Sequence, residues 1–157
     1  MLAMPPSNLT LRKAEPADAR SIEALYRQLV SNPSVSVLPE RIAQIGQDPN
    51  TALFVCVAEG CVRGTALVSL CADAMFQFQP FAVVENVVVD SDRRSAGIGT
   101  ALLRHVEAFC RQADCSKIML LSSSGREPAH RFFERMGFAG SVKKGFVKYR
   151  RQFEVQT

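Results

Sequence analysis

Residues 94–100 read Arg-Ser-Ala-Gly-Ile-Gly-Thr and follow directly on an apolar run that ends Val87-Val88-Val89-Asp90. A strand, a basic turn with glycines and an amphipathic helix, in that order, build a site for an anion. Gly97 and Gly99 remove side chains where the main chain has to approach a ligand closely, and the first N–H groups of a helix lack internal partners and point out of its end. Arg93 and Arg94 add full positive charges beside the partial positive charge of the helix start, which favours a pyrophosphate over a carboxylate. Two other phosphate-binding patterns fail here. Leu102 stands at the third glycine of G-x-G-x-x-G, Lys117 and Ile118 stand about twenty residues on where a ribose-binding acid belongs, and no G-x-x-x-x-G-K-[ST] is present.

A second group with chemical potential is Glu85, the one acid in the run Ala-Val-Val-Glu-Asn-Val-Val-Val at 82–89. Burial among valines would raise its pKa toward the range of a general base; a salt-bridged or edge-exposed glutamate is the alternative. Five cysteines, Cys56, Cys61, Cys71, Cys110 and Cys115, form no C-x-x-C pair and lie apart from His105 and His130, so reduced, mostly buried thiols are expected and no metal site. His130 falls one residue off the apolar stripe of its helix and reads as a surface or packing residue.

The elements that must position these residues follow from periodicity. Residues 9–13 read as a short strand, and Pro16 opens a helix whose apolar face is Ile22, Leu25, Tyr26 and Leu29. A weaker helix spans 39–47, ended by Asp48-Pro49-Asn50. Apolar strands are expected at 52–58, 64–71 and 82–89, with a hairpin turn at Glu59-Gly60; their poor alternation predicts cover on both faces. Helix 97–112 carries Ile98, Leu102, Val106 and Phe109 on one side. Strand 117–121, a helix at 128–136 stopped by Gly137, and a last strand at 146–153 complete a three-layer α/β arrangement.

A chain of 157 residues, 47% hydrophobic and 22% charged, reads as one domain over 1–157 that buries roughly two-thirds of its unfolded surface. Its apolar stretches are too short for a membrane span and its start lacks a signal-peptide layout, so a cytoplasmic protein without a membrane partner is expected. The net charge is +4, and Lys143, Lys144, Lys148, Arg150 and Arg151 cluster near the end. That cluster suits either nucleic acid or a solvated sheet edge. The second reading is favoured, and no nucleic-acid partner is expected.

The segment Arg94-Ser95-Ala96-Gly97-Ile98-Gly99 resembles the R-x-x-G-x-G coenzyme A motif of the GCN5-related N-acetyltransferase (GNAT) superfamily. Ala129-His130-Arg131-Phe132-Phe133-Glu134-Arg135-Met136-Gly137-Phe138 is similar to the family's A-x-x-F-Y-x-x-x-G-F helix, and Leu11 to Asp18 is similar to its opening strand and first helix. The resemblance spans most of the chain. It implies an α/β/α acyl-CoA N-acyltransferase fold whose mixed, mostly antiparallel sheet splays between its fourth and fifth strands, with acetyl-CoA as co-substrate. The cofactor contacts it implies are Val87, Val88 and Val89 for the pantetheine arm, Arg94, Ser95, Ala96, Gly97, Ile98, Gly99 and Thr100 for the pyrophosphate, and Phe132 and Phe133 on the later helix.

The implied reaction is acetyl transfer to a primary amine by direct attack, with Glu85 as catalytic base. An amine of pKa about 10.4 costs about 4.6 kcal/mol to hold neutral at pH 7, so a base is needed. The family's usual tyrosine acid is replaced by Phe133. A thiol of pKa about 8.5 leaves as thiolate for about 2 kcal/mol, so that loss is tolerable, and Ser122, Ser123, Tyr149 or water are substitute donors. Phe133 also fits a packing stripe with Ala129, Phe132 and Met136. Arg126 stands where the family commonly has asparagine, free to grip a phosphate or the substrate or to face solvent. Segments 31–41 and 72–80, with Met75, Phe76 and Phe78, would line the acceptor side and favour a small-molecule or peptide amine with an apolar body, or pack against a second copy in a homodimer.

Overall fold

The computed structural model describes residues 8–94 and 96–154. The chain divides into two compact units, Met1–Leu120 and Leu121–Thr157. In the first, five strands lie side by side in sequence order: β1 (Leu9–Lys13), β2 (Thr51–Ala58), β3 (Cys61–Cys71), β4 (Phe81–Val89) and β5 (Ile118–Leu120). Strands β1 to β4 pair antiparallel and β5 joins β4 in parallel, which gives the mixed, mostly antiparallel sheet that the resemblance implies. A parallel neighbour needs a crossover, and helix α3 (Ile98–Gln112) supplies it.

Helices α1 (Ala19–Leu29) and α2 (Pro39–Gln47) precede β2. The layers can be read from β2, where successive side chains point to opposite faces. Ala52, Phe54 and Cys56 meet Ile98, Leu102, Val106 and Cys110 of α3, while Leu53 and Val55 meet Ile22 of α1 and Ile42 of α2. Both faces are therefore covered, as the poor alternation predicts. At the closest approach of α3 to the sheet stands Gly64 on β3, where a Cβ would come 2.8 Å from Ile98 Cγ2 and 2.9 Å from Leu102 Cδ1. Gly64→Ala must push back the first turns of α3, and urea unfolding should show a loss of about 1–3 kcal/mol.

The start of α1 is fixed by Asp18, which is buried. Its carboxylate accepts from Arg12 Nη1 at 2.7 Å and Nη2 at 3.0 Å and from the N–H of Glu15 at 2.7 Å. The Arg12 guanidinium, helped by that N–H, holds the Asp18 carboxyl below the usual carboxylate range. A depressed folded pKa stabilises above the ordinary carboxylate value and loses that contribution as pH falls through about 4 and below. Asp18→Asn should lower stability at pH 7 by about 2 kcal/mol. Urea titrations from pH 7 to pH 2 should then find the gap between parent and variant closing on the acid side.

The second unit contains α4 (Glu127–Arg135), with proline in its first turn. It stops as expected at Gly137, whose φ is +94°; the N–H of Gly137 reaches Glu134 O at 3.0 Å and that of Phe138 reaches Phe133 O at 3.0 Å. The expected strand at 146–153 does not form. The chain there is exposed and irregular up to a 3-10 turn, Arg150–Gln152, in which Gln152 N–H bonds to Tyr149 O at 2.8 Å. Its alternation of apolar and basic residues fits a strand, but a strand persists only through a neighbour's ladder, and none of the five strands extends one to it. Among the described residues no helix is long and apolar enough to cross a membrane.

Candidate active site

The pairing of β4 with β5 covers Ala82↔Ile118, Val83↔Met119 and Val84↔Leu120 and then ends. Beyond Val84, β4 runs on to Val89 with pairing to β3 alone among the described residues, because β5 ends at Leu120. At the same place the register with β3 shifts: Thr65 pairs Val88 and Leu67 pairs Glu85, so Asn86 and Val87 together oppose Ala66. Such a bulge needs an unusual backbone conformation, and Asn86 takes it with φ +56°.

The extra residue resets the ladder. Asp90 N–H bonds to Arg63 O at 2.8 Å on the β3 side, and alternation along the strand then turns the main-chain groups of Val87 and Val89 to the open edge. These are the residues the resemblance implies for the pantetheine amides; Val88, a buried residue, turns its main chain to β3. The signal for the bulge was the Glu-Asn pair in a run of valines, since asparagine tolerates positive φ.

Glu85 opens the bulge. The burial expected from its apolar flanks is not found: its side chain is exposed. Tyr26 of α1 is half-buried, and burial raises its pKa, with Asn86 pulling the other way.

After β4, Asp90 leads into a 3-10 turn, Ser91–Arg93, then Arg94 and Gly97. Gly97 has φ +81° and ψ 5°, the left-handed conformation that glycine adopts without cost, and from it α3 starts at Ile98 with no side-chain cap. Among the described residues none offers an acceptor to the N–H groups of Ile98, Gly99 and Thr100, whereas Ala96 N–H is used inside the turn, on Arg93 O at 3.3 Å. Ser95 lies outside the described residues. The two arginines differ. Arg93 is held by Glu59 at 2.7 Å, so its charge is compensated, while Arg94 is exposed and has no ion pair among the described residues.

In the second unit, Phe132 and Phe133 lie half-buried on α4 with ring centroids 5.6 Å apart, and Phe133 meets Phe138 edge-on at 6.1 Å, which suits the packing stripe. His130 Nε2 shares a hydrogen bond with the Ser123 carbonyl at 2.9 Å, a local tie consistent with packing. Arg126 is exposed and stands at the N-cap position of α4 without a side-chain cap hydrogen bond. The Ser122 hydroxyl is buried with no hydrogen-bond partner among the described residues.

Burial pushes the Cys110 thiol up to about 12 and raises Cys56 and Cys115 as well, which makes them poor nucleophiles. His105 packs edge-on to Phe54 at 4.6 Å, and burial lowers its pKa. No group of three potential metal ligands occurs among the described residues.

On the acceptor side implied by the resemblance, Met75, Phe76 and Phe78 are exposed, as is Leu38. The loop after α1 is tied down by that helix: Glu23 Oε1 accepts from Val37 N–H at 2.9 Å, and Arg27 Nη2 donates to Val35 O at 3.0 Å.

The profile of the acetyltransferase (GNAT) family matches residues 20–138. Streptothricin acetyltransferase of Streptomyces lavendulae is 28% identical over 85% of this chain and 82% of its own length. Glucosamine 6-phosphate N-acetyltransferase of Trypanosoma brucei brucei is 33% identical over 83% of this chain and 89% of its own. Among solved structures, a putative acetyltransferase from Agrobacterium tumefaciens superposes with a TM-score of 0.80 at 31% identity, covering 90% of this chain and 99% of the other. With a β4 strand that runs on past its last pair with β5, a helix that starts behind a left-handed glycine, and a family profile over most of its length, the chain belongs to the GNAT family and is an N-acetyltransferase.

Proposed function

We propose that the protein transfers an acetyl group from acetyl-CoA to a primary amine of a small molecule by direct attack. The observation that carries the reading is the pairing of an open main-chain edge at Val87 and Val89 with the uncapped start of α3 a few residues on. Pantetheine has amides that extend a strand edge, and the pyrophosphate suits unpaired N–H groups at a helix start beside Arg94. The residues present therefore fit coenzyme A: Val87 and Val89 for the arm, and Arg94, Gly97, Ile98, Gly99 and Thr100 for the phosphates, with Ser95 and Ala96 proposed beside them from the motif.

Acetyl-CoA supplies an activated acyl carbon and a thiolate leaving group. The protein's own part is to hold the donor, accept a proton and position the amine. Glu85 stands just beyond the last pair of β4 with β5 as an exposed carboxylate, suited to taking the amine's proton through a water. Attack forms the C–N bond, collapse breaks the C–S bond, and the proton released by the amine goes to Glu85 through that water. The raised thiol pKa values of Cys56, Cys110 and Cys115 support a route without an acyl-cysteine.

The names of the relatives carry two unlike amine acceptors, streptothricin and glucosamine 6-phosphate, both small molecules. The exposed Met75, Phe76, Phe78 and Leu38 favour an acceptor with an apolar body among such molecules. A screen of amines with acetyl-CoA, read by thiol release, tests the reading. At least one small amine should liberate CoA. A melting temperature that rises with acetyl-CoA, with no thiol released by any amine, would make the chain a binding module instead.

A further inference from the structure

The turn that carries the phosphate site is held from outside by side chains that acetyl transfer does not use. Asp90 closes β4, and its carboxylate gathers donors from three directions. Arg63 Nη1, from β3, reaches Oδ2 at 2.9 Å; Gln28 Nε2, from the last turn of α1, reaches Oδ1 at 3.4 Å; and Asp92 N–H reaches Oδ1 at 3.2 Å. Gln28 works at both ends, since its Oε1 also accepts Ser91 N–H at 2.9 Å. A carboxamide can donate to a carboxylate with its nitrogen and accept from the adjoining main chain with its oxygen. Arg93 N–H returns to Asp90 O at 2.8 Å, and the Arg93 side chain is pinned to Glu59 at the β2–β3 hairpin.

Three of these ties span 62, 27 and 34 residues of sequence, and all converge on residues 90–93, immediately ahead of Arg94. Asp92 N–H first, then Arg63 and Gln28, hold the Asp90 carboxyl below the usual carboxylate range, so it stays ionised and the arrangement persists at neutral pH. Arg63 Nε is buried without a partner among the described residues. A buried donor left empty is costly, so the guanidinium is kept for what its other end does.

We infer that Gln28, Asp90 and Arg63 are positioning residues for cofactor recognition: they fix the turn so that Arg94 and the N–H groups after Gly97 face the pyrophosphate before it arrives. An untied turn would pay for its ordering at the moment of binding, and the loss would appear as weaker affinity for the phosphates alone. The inference rests on the phosphate site proposed above. None of the three residues touches the reacting atoms.

Gln28→Leu tests it, since Gln28 is exposed and leucine keeps the helix while removing both hydrogen bonds. CoA affinity by calorimetry should fall about tenfold, and the KM for acetyl-CoA should rise by the same factor while kcat at saturation holds. With S-acetylpantetheine, which lacks the pyrophosphate, kcat/KM should not change. Arg63→Met should behave alike and Arg63→Lys should recover part of the loss. Unchanged CoA affinity in Gln28→Leu, or an equal loss with both donors, overturns the inference. The parent separates the two ideas: if it handles S-acetylpantetheine as well as acetyl-CoA, the phosphate site itself has failed; if it prefers acetyl-CoA and Gln28→Leu keeps that preference, only the positioning role has.

Discussion

Gly99→Glu will melt no lower than the parent and yet bind acetyl-CoA about a hundredfold more weakly, because one carboxylate has opposite effects on the helix and on the ligand. Gly99 is the second residue of α3. Replacing glycine there gains roughly 0.7 kcal/mol of helix propensity, and an acid in the first turn complements the helix dipole. The same acid lies among the N–H groups proposed to hold two phosphates. Like charges about 4 Å apart at a surface repel by about 4 kcal/mol before salt screening, which leaves ample room for the stated loss. Calorimetry and thermal melting on one sample check both halves. A variant that melts lower and binds as tightly as the parent would place the phosphates elsewhere.

Glu85→Gln should lower kcat/KM at pH 7 by about a hundredfold or more while CoA affinity is unchanged. Glutamine keeps the size of the side chain and its exposure but cannot take a proton. The size of the effect follows from the acceptor: an amine of pKa about 10.4 is almost wholly protonated at pH 7, and the base contributes most when the free amine is scarcest. The gap between parent and variant should therefore narrow as pH rises toward the amine's own pKa. A variant with the parent's rate and profile would remove Glu85 from the mechanism and leave the amine to lose its proton to solvent.

Local chemistry made the central unit readable in the sequence. The valine run, the arginines and the glycines of 87–100 are neighbours, and each constrains the backbone within a few residues of itself, so strand, turn and helix fell where expected. Gly137 ended its helix for the same reason. Glu85 was harder. Its valine neighbours suggested burial, but cover for a strand residue comes from whatever packs on its face of the sheet, which the flanking residues do not encode, and this side chain is exposed. The register of the bulge at Asn86 is set by pairing with β3, and only the asparagine's tolerance of positive φ marks it locally.

Tertiary partners explain the remaining differences. Residues 146–153 carry a pattern that suits a strand, yet the strand depended on a partner that the sheet does not provide. Gln28 and Arg63 are ordinary polar residues in their own segments, and only the fold brings them to Asp90.

A structure of the protein with CoA bound tests the central claim most directly. The account predicts pyrophosphate oxygens about 3 Å from main-chain nitrogens between Gly97 and Thr100, with the pantetheine arm along Val87 and Val89. A diphosphate bound away from that turn, or those nitrogens bonded to protein atoms while CoA sits elsewhere, would contradict it.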